Sequence, residues 1–278
     1  MHCQVGDRSA HGRDDCRCPS AYARDVAHPL PLTGERTLPG VPGEEYWFAR
    51  HEAVYRWTCT SFTERLHDAV VVEAGSGEGY GAALLRDGGA RVVLALEYDP
   101  AAVRHAGSAY GSVGTVRANL ASMPVRPASA DLLVCLQVVE HLWDLRGFLR
   151  DCLALLRPGG IAVVSTPNRP VFSPGLGRGA KPTNPFHVEE LDAEQLEGLL
   201  LDAGFAPVDV LGLHHGPRIS GWEHERGVDL VAAQVAVALG GEGAPEGLAT
   251  FVSSLCWQDF VVASAPGAQD LVAVAVAP

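Results

Sequence analysis

One stretch, VVVEAGSGEGYGAALL at residues 70–85, limits what this chain can fold into more than any other. Three valines run into glycines at 75, 77, 79 and 81, and a segment rich in Ala and Leu follows. Valine suits a buried pleated surface, while Ala and Leu suit a helix, so the spacing predicts strand, tight turn, helix. Glycine lets the main chain turn sharply and approach a ligand closely, with the amides of the helix start expected to face it. In open α/β sheets ligands bind beyond the carboxyl ends of the strands, which is where this turn belongs.

The rest of the chain agrees with such a sheet. From residue 69, strands are expected near 69–74, 91–97, 113–118, 131–136 and 160–165, and helices near 79–87, 100–108, 145–156 and 189–203. The runs AVVVEA, RVVLALE, DLLVCL and IAVVST are apolar rather than alternating, as in parallel strands buried on both faces. Asp99-Pro100 reads as a helix cap followed by proline at the first helical position, and Arg157-Pro158-Gly159-Gly160 as a helix end turning into the next strand. FAPVDVLGL (205–213) and DLVAVAVA (270–277) read as two further strands. Residues 214–256, with a Val/Ala-rich helical stretch around 228–239, are expected to form a substrate cap inserted between them. Upstream, Trp47, His51 and Tyr55 stand at helical spacing and predict one helix over 44–67. The expected fold is α/β and doubly wound, a mostly parallel seven-stranded sheet with an N-terminal helix and a helical cap insertion.

Residues 1–30 are expected to be disordered, leaving 31–278 as one domain. With 47% apolar residues the chain can build a sizeable core. Its net charge is −12, with 21 Lys plus Arg of which only Lys181 is lysine. Nucleic acid is therefore not an expected partner, because phosphate neutralisation carries that affinity. No apolar run reaches 18 residues and the first 30 lack the apolar centre of a secretory signal, so no membrane span and a cytoplasmic location are expected. Seven cysteines are scattered. Cys135 and Cys152 read as small core residues, and Cys3, Cys16 and Cys18, with His2 and His11, match no zinc spacing.

The glycines alone leave the ligand open. Gly77-x-Gly79-x-x-Ala82 fits a dinucleotide fingerprint, Glu97 stands where its ribose-binding acid should be, and a tight turn with no ligand is a third reading. Glu73 separates them. The string Glu73-x-Gly75-x-Gly77-x-Gly79 resembles the E/D-x-G-x-G-x-G loop of class I S-adenosylmethionine (SAM) methyltransferases. That resemblance implies a Rossmann-like domain with SAM as cofactor. It places Glu73, Gly75, Ser76, Gly77 and Gly79 at the loop, Glu97 and Tyr98 at the ribose, Asn119 and Leu120 at the adenine, and Gln137 at the end of strand four.

Glu140 and His141, in DLLVCLQVVEHL, resemble the ubiquinone-type (methyltransferase type 11) branch of that superfamily. The branch commonly carries E-x-x-E-H, and here Gln137 replaces the first acid. One carboxylate ligand is thus missing, so Mg²⁺ is not favoured and no metal site is expected. LTGERTLPG (32–40), STPNRP (165–170) and NPFHVEEL (184–191) extend the likeness, in order, to a bacterial group associated with surface polysaccharide and glycan pathways. Within it the chain looks most like actinobacterial O-methyltransferases of the methylglucose polysaccharide type. The implied acceptor is a carbohydrate hydroxyl. The alternatives are a non-sugar small molecule of quinone, polyketide or amine type, and an NAD-dependent oxidoreductase or nucleotide-binding protein. An oxidoreductase should carry a Tyr-x-x-x-Lys pair, and Lys181 has glycine four residues before it. A neutral hydroxyl is a poor nucleophile, so a base is expected among His187, His141 and Glu140. His187 is preferred for its long loop and its near-neutral imidazole.

Overall fold

The computed structural model describes residues 30–31, 36–238 and 243–278. The expectation of disorder for the N-terminal segment, and the cysteines at 3, 16 and 18, fall outside the described residues. In chain order the elements are α1 (Glu45–Ser61), α2 (Thr63–Leu66), β1 (Val70–Ala74), α3 (Tyr80–Asp87), β2 (Val92–Glu97), α4 (Pro100–Ala109), β3 (Gly114–Arg117) and β4 (Ala130–Leu136). A 3₁₀ turn (Val139–His141) leads to α5 (Leu145–Leu155), β5 (Leu156–Pro167), α6 (Arg169–Phe172), α7 (Ala193–Ala203) and β6 (Val208–His215). Then come α8 (Pro217–Arg226), α9 (Leu230–Ala238), α10 (Leu248–Val252), a second 3₁₀ turn (Trp257–Asp259), β7 (Phe260–Ser264) and β8 (Asp270–Val276).

The strands form one sheet in the order β3-β2-β1-β4-β5-β8-β6-β7. β1 to β5 run parallel; β8 is antiparallel to β5 and β6, and β7 to β6. The order reverses between β1 and β4, so the connections leaving their carboxyl ends diverge and open a crevice. One face of the sheet packs on α1 and α3 through Tyr46, Val54, Leu85 and Val71; the other packs on α5 and α7 through Leu149, Leu196, Leu200 and Phe205. Each such side chain, fully buried, is worth about 1.5–3 kcal/mol. Helix ends follow local chemistry. Asp99 caps α4 by accepting from the Ala101 amide, and a reciprocal Asp192–Gln195 capping box starts α7, which Gly204 ends in the left-handed region.

The differences from expectation have physical causes. The single helix expected over 44–67 is broken at Phe62, where the backbone leaves helical angles. The sheet has eight strands rather than seven, because β7 pairs back on β6 as an edge strand. His214 and His215 belong to β6, so the helical insertion starts at Gly216 and lies between β6 and β7. Arg157–Gly160 lies in an irregular start of β5, where Leu156 pairs with Ala130 ahead of a register shift. Among the described residues no helix is long and apolar enough to cross a membrane.

Candidate active site

The chain leaves β1 through Gly75, whose φ is +81° and whose Cβ, if present, would lie 2.5 Å from Val138 Cγ2. Only glycine fits there. Gly81, inside α3, is small for another reason: a Cβ would fall 2.2 Å from Tyr55 Cζ and 2.5 Å from Glu73 Oε1. The gap lets the Tyr55 hydroxyl, on α1, donate to Glu73 Oε1 at 2.6 Å and tie the first helix to the glycine loop. Burial pushes the Glu73 carboxyl up to about 8, with the negative charges of Glu97 and Glu78 adding to the effect.

The loop amides do not stand open to a ligand as the sequence suggested. Gly75 and Ser76 donate to the Leu96 carbonyl, Gly77 to Glu97 Oε2, Gly79 to the Ser76 carbonyl and Tyr80 to Glu78 Oε2. A pyrophosphate needs such donors and a positive helix end. Here most of them are used within the protein and three carboxylates surround the turn, an arrangement that suits a cationic ligand and opposes a dinucleotide. Glu78 is buried and takes the Tyr110 hydroxyl at 2.8 Å and His105 Nε2 at 2.7 Å, so two side chains hold its carboxylate in place.

Beyond the loop lies a cavity of about 280 Å³. Of the residues expected from sequence, Gly75, Ser76, Gly77, Glu97, Tyr98, Leu120, Gln137 and His141 line it. Glu97 accepts from the Gly77 and Asp99 amides, both at 2.8 Å, which fixes its carboxylate at the end of β2. Each oxygen keeps a second lone pair for a hydroxyl. Gln137, at the end of β4, sits at a φ of +56°, unusual for a residue with a side chain, and donates to Ser165 Oγ at 2.8 Å. Three of the expected cofactor residues stand apart from the lining. Glu73 supports the loop from behind, Gly79 packs against Ala106 of α4, and Asn119 is exposed with its side chain closing a turn on the Ala121 amide.

A second cluster adjoins the cavity. The His141 ring and the His187 ring stand 5.0 Å apart, and His141 Nε2 is 4.0 Å from Glu140 Oε1. His141 Nδ1 donates to the Phe186 carbonyl at 3.1 Å, which leaves the lone pair on Nε2. His187 Nδ1 donates to Glu190 at 2.7 Å, and its Nε2 meets the Asn184 amide nitrogen at 3.0 Å. The His187 side chain is 6% exposed and that of His141 29% exposed, so His141 is the ring that reaches the cavity. Glu140 is buried under Thr166, whose hydroxyl donates to it at 2.9 Å, and burial pushes its carboxyl up to about 7.

Glu140, His141 and His187 bring one ligand atom each within 4.8 Å of one another. Two imidazoles and one carboxylate suit a transition metal, whereas Mg²⁺ takes oxygen ligands. The set does not fit Mg²⁺, and no step below passes through it.

Comparison with known proteins decides the family. Residues 72–164 match the family described as "Methyltransferase domain". A protein of Mycobacterium tuberculosis named "Probable S-adenosylmethionine-dependent methyltransferase" is 44% identical over 274 residues, covering 96% of each chain. The chain belongs to the SAM-dependent methyltransferases. A ubiquinone biosynthesis O-methyltransferase of Methylocella silvestris is 35% identical over 109 residues, 37% of this methyltransferase and 41% of that protein. The fold matches a SAM-dependent methyltransferase structure from Archaeoglobus fulgidus with a TM-score of 0.56 at 16% identity, covering 84% of this chain and 97% of the other.

Several side chains of the methyltransferase site carried no readable signal of their own. Glu78 lies between two glycines and draws its partners from 27 and 32 residues away, and Tyr80 reaches the cavity from the start of α3. Arg36 and Thr37, which also line it, belong to the LTGERTLPG motif that carried the family likeness without a site role. The helical spacing of Trp47, His51 and Tyr55 allowed either a lid over the ligand or a plain apolar helix face, and His51 and Tyr55 line the cavity. His51 proves to be a cavity residue whose pKa burial lowers to about 3, so its ring is neutral at any working pH.

Proposed function

We propose that this enzyme methylates a hydroxyl of a carbohydrate acceptor, with His141 as the group that takes the proton. SAM, when bound, supplies a methyl carbon on a positively charged sulfur. In this reading Gly75, Ser76 and Gly77 hold the amino-acid end of the cofactor with Gln137, Glu97 takes the ribose hydroxyls, and Tyr98 and Leu120 border the adenine beside the turn that Asn119 closes. Glu73 and Gly79 keep the loop in shape from behind.

The observation that carries the acceptor class is the wall beside the cavity. It consists of ionisable and polar side chains bonded to one another: Glu140, His141, Thr166, Asn184, His187 and Glu190. Of these only His141 lines the cavity, and the others stand behind it and hold its ring. The network thus presents one polar, proton-accepting group to an acceptor hydroxyl, which a quinone or polyketide ring does not need for binding. The exposed rings of Trp143 and Phe186 flank His141 and His187 in the chain and offer flat apolar faces of the kind sugar rings stack on. The Methylocella relative's name gives oxygen as its acceptor atom, which supports an O-methyl transfer here and keeps a non-sugar acceptor as the rival.

His141 holds the better position for the base. With its tautomer set by Phe186, Nε2 can accept the hydroxyl proton as the oxygen attacks, and the imidazolium so formed lies beside Glu140. His187, locked between Glu190 and Asn184, braces the ring of His141 from behind. We also assign acceptor selection to the helical insertion between β6 and β7, a cap tied to α1 through the end of β6, where the Tyr46 hydroxyl donates to His215 Nε2 at 2.8 Å and His215 Nδ1 donates to Glu223 of α8 at 3.1 Å. Incubation with methyl-labelled SAM and cellular fractions tests the proposal. Label is expected in the soluble polysaccharide fraction, and label confined to lipid or quinone fractions would overturn the carbohydrate reading.

A further inference from the structure

Arg36 has a guanidinium nitrogen that the protein leaves unsatisfied. Its Nη2 donates to Asp99 Oδ2 at 2.7 Å, but Nη1 is buried with no hydrogen-bond partner. The side chain is only 11% exposed and lines the same cavity as Gly75, Gly77, Glu97 and Gln137. Asp99 is itself immobile, since its Oδ1 caps α4 by accepting from the Ala101 amide at 2.8 Å. The chain on the far side of Arg36 is pinned too. Leu38 is buried against Ala102 of α4, and the Thr37 hydroxyl lies 3.4 Å from both Tyr80 Oη and His51 Nδ1. The guanidinium plane is thus set in advance, with an edge directed at nothing the protein provides.

An unpaired buried donor on a charged group costs on the order of 1–3 kcal/mol, and a group held so rigidly asks for a specific acceptor. Of the two carboxylates that line the cavity, Glu78 is taken by His105 and Tyr110, and Glu97 is fixed by the Gly77 and Asp99 amides with its second lone pairs left for hydroxyls. The adenosine half of SAM carries no anion. Its amino-acid half carries one, the α-carboxylate, and guanidinium and carboxylate match in geometry as well as charge. We infer that Arg36 binds the α-carboxylate of SAM, so that the segment Arg36–Gly40 acts as a clasp which recognises the amino-acid end of the cofactor. The inference rests on the glycine-loop cavity being the SAM site.

The test is calorimetric and needs no acceptor. Wild type, Arg36→Met and Asp99→Asn are titrated with S-adenosylhomocysteine and with 5′-methylthioadenosine, which shares the nucleoside and thioether but has no amino-acid end. Arg36→Met is expected to weaken S-adenosylhomocysteine roughly 20-fold, the scale of a charged hydrogen bond, and to leave 5′-methylthioadenosine within about twofold. Asp99→Asn, which loosens the clasp but keeps the cation, is expected to shift S-adenosylhomocysteine much less than Arg36→Met does. Equal weakening of both ligands by Arg36→Met would make Arg36 a structural anchor and overturn the inference. A Gly77→Arg variant that binds both ligands normally would instead remove the cavity from the cofactor, and the clasp with it.

Discussion

His141 and His187 are two imidazoles 5.0 Å apart, and their outer partners give them different work. A ring that lines the cavity, with Nδ1 fixed on a carbonyl, is placed to take a proton from an acceptor; one held at both nitrogens by Glu190 and Asn184 serves better as a brace. His141→Ala is therefore expected to lower kcat by about 10²–10⁴ with little change in SAM affinity, and His187→Ala by roughly tenfold. Single-turnover rates on both variants decide the order, and the reverse ranking would return the base to His187. Glu140 adds a pH signature. Its carboxyl, raised to about 7 by burial, is neutral below that pH and charged above it, and only the charged form steadies an imidazolium at His141. Turnover is expected to climb through about pH 7, and Glu140→Gln should flatten the climb; an unchanged profile in that variant would sink the coupling. Stability runs the other way. A carboxyl whose folded pKa lies above its unfolded value contributes stability that is lost as pH rises through about 7.

At the scale of elements, the glycine loop and α1 behave as one unit joined through Tyr55 and Glu73. Gly81→Ala should drive that contact apart, because its Cβ has no room between the Tyr55 ring and the Glu73 carboxyl. We expect a loss of about 2–3 kcal/mol in denaturant unfolding and a weakened SAM site. Gly77→Ala meets nothing within 4 Å but must hold a φ of +54°, so its cost should be nearer 1 kcal/mol. The opposite order would show that the α1–loop contact carries little. The sequence made the parallel strands legible because they are buried on both faces and uniformly apolar. It hid β7, an edge strand buried at Phe260 and largely exposed beyond it, separated from its partner β6 by the whole insertion. The Tyr55–Glu73 link and the Glu78 hub were hidden for a related reason. They join residues 18 to 32 positions apart, with no periodicity to announce them.

For the whole molecule, the unifying feature is acidic side chains gathered at one turn of a chain whose net charge is −12. Glu73, Glu78 and Glu97 converge on the glycine loop, and burial followed by its like-charged neighbours raises Glu73 to about 8. Near neutral pH the empty protein therefore holds a proton there that the unfolded chain would release. By linkage, the stability this confers fades as pH rises through about 8, and Glu73→Gln should flatten that part of the stability profile. A sulfonium bound in front of the loop favours the ionised carboxyl, so SAM binding should expel the proton. S-adenosylhomocysteine has the same shape without the positive sulfur and should expel it less. The preference for SAM over S-adenosylhomocysteine is thus expected to be larger at about pH 6.5 than at about pH 5 and to grow by roughly tenfold more towards about pH 8.5. Calorimetry of both ligands in buffers of differing protonation enthalpy measures the affinities and the protons released together. If the preference is independent of pH in wild type, or keeps its full slope in Glu73→Gln, the charge at the turn is not what selects the cation.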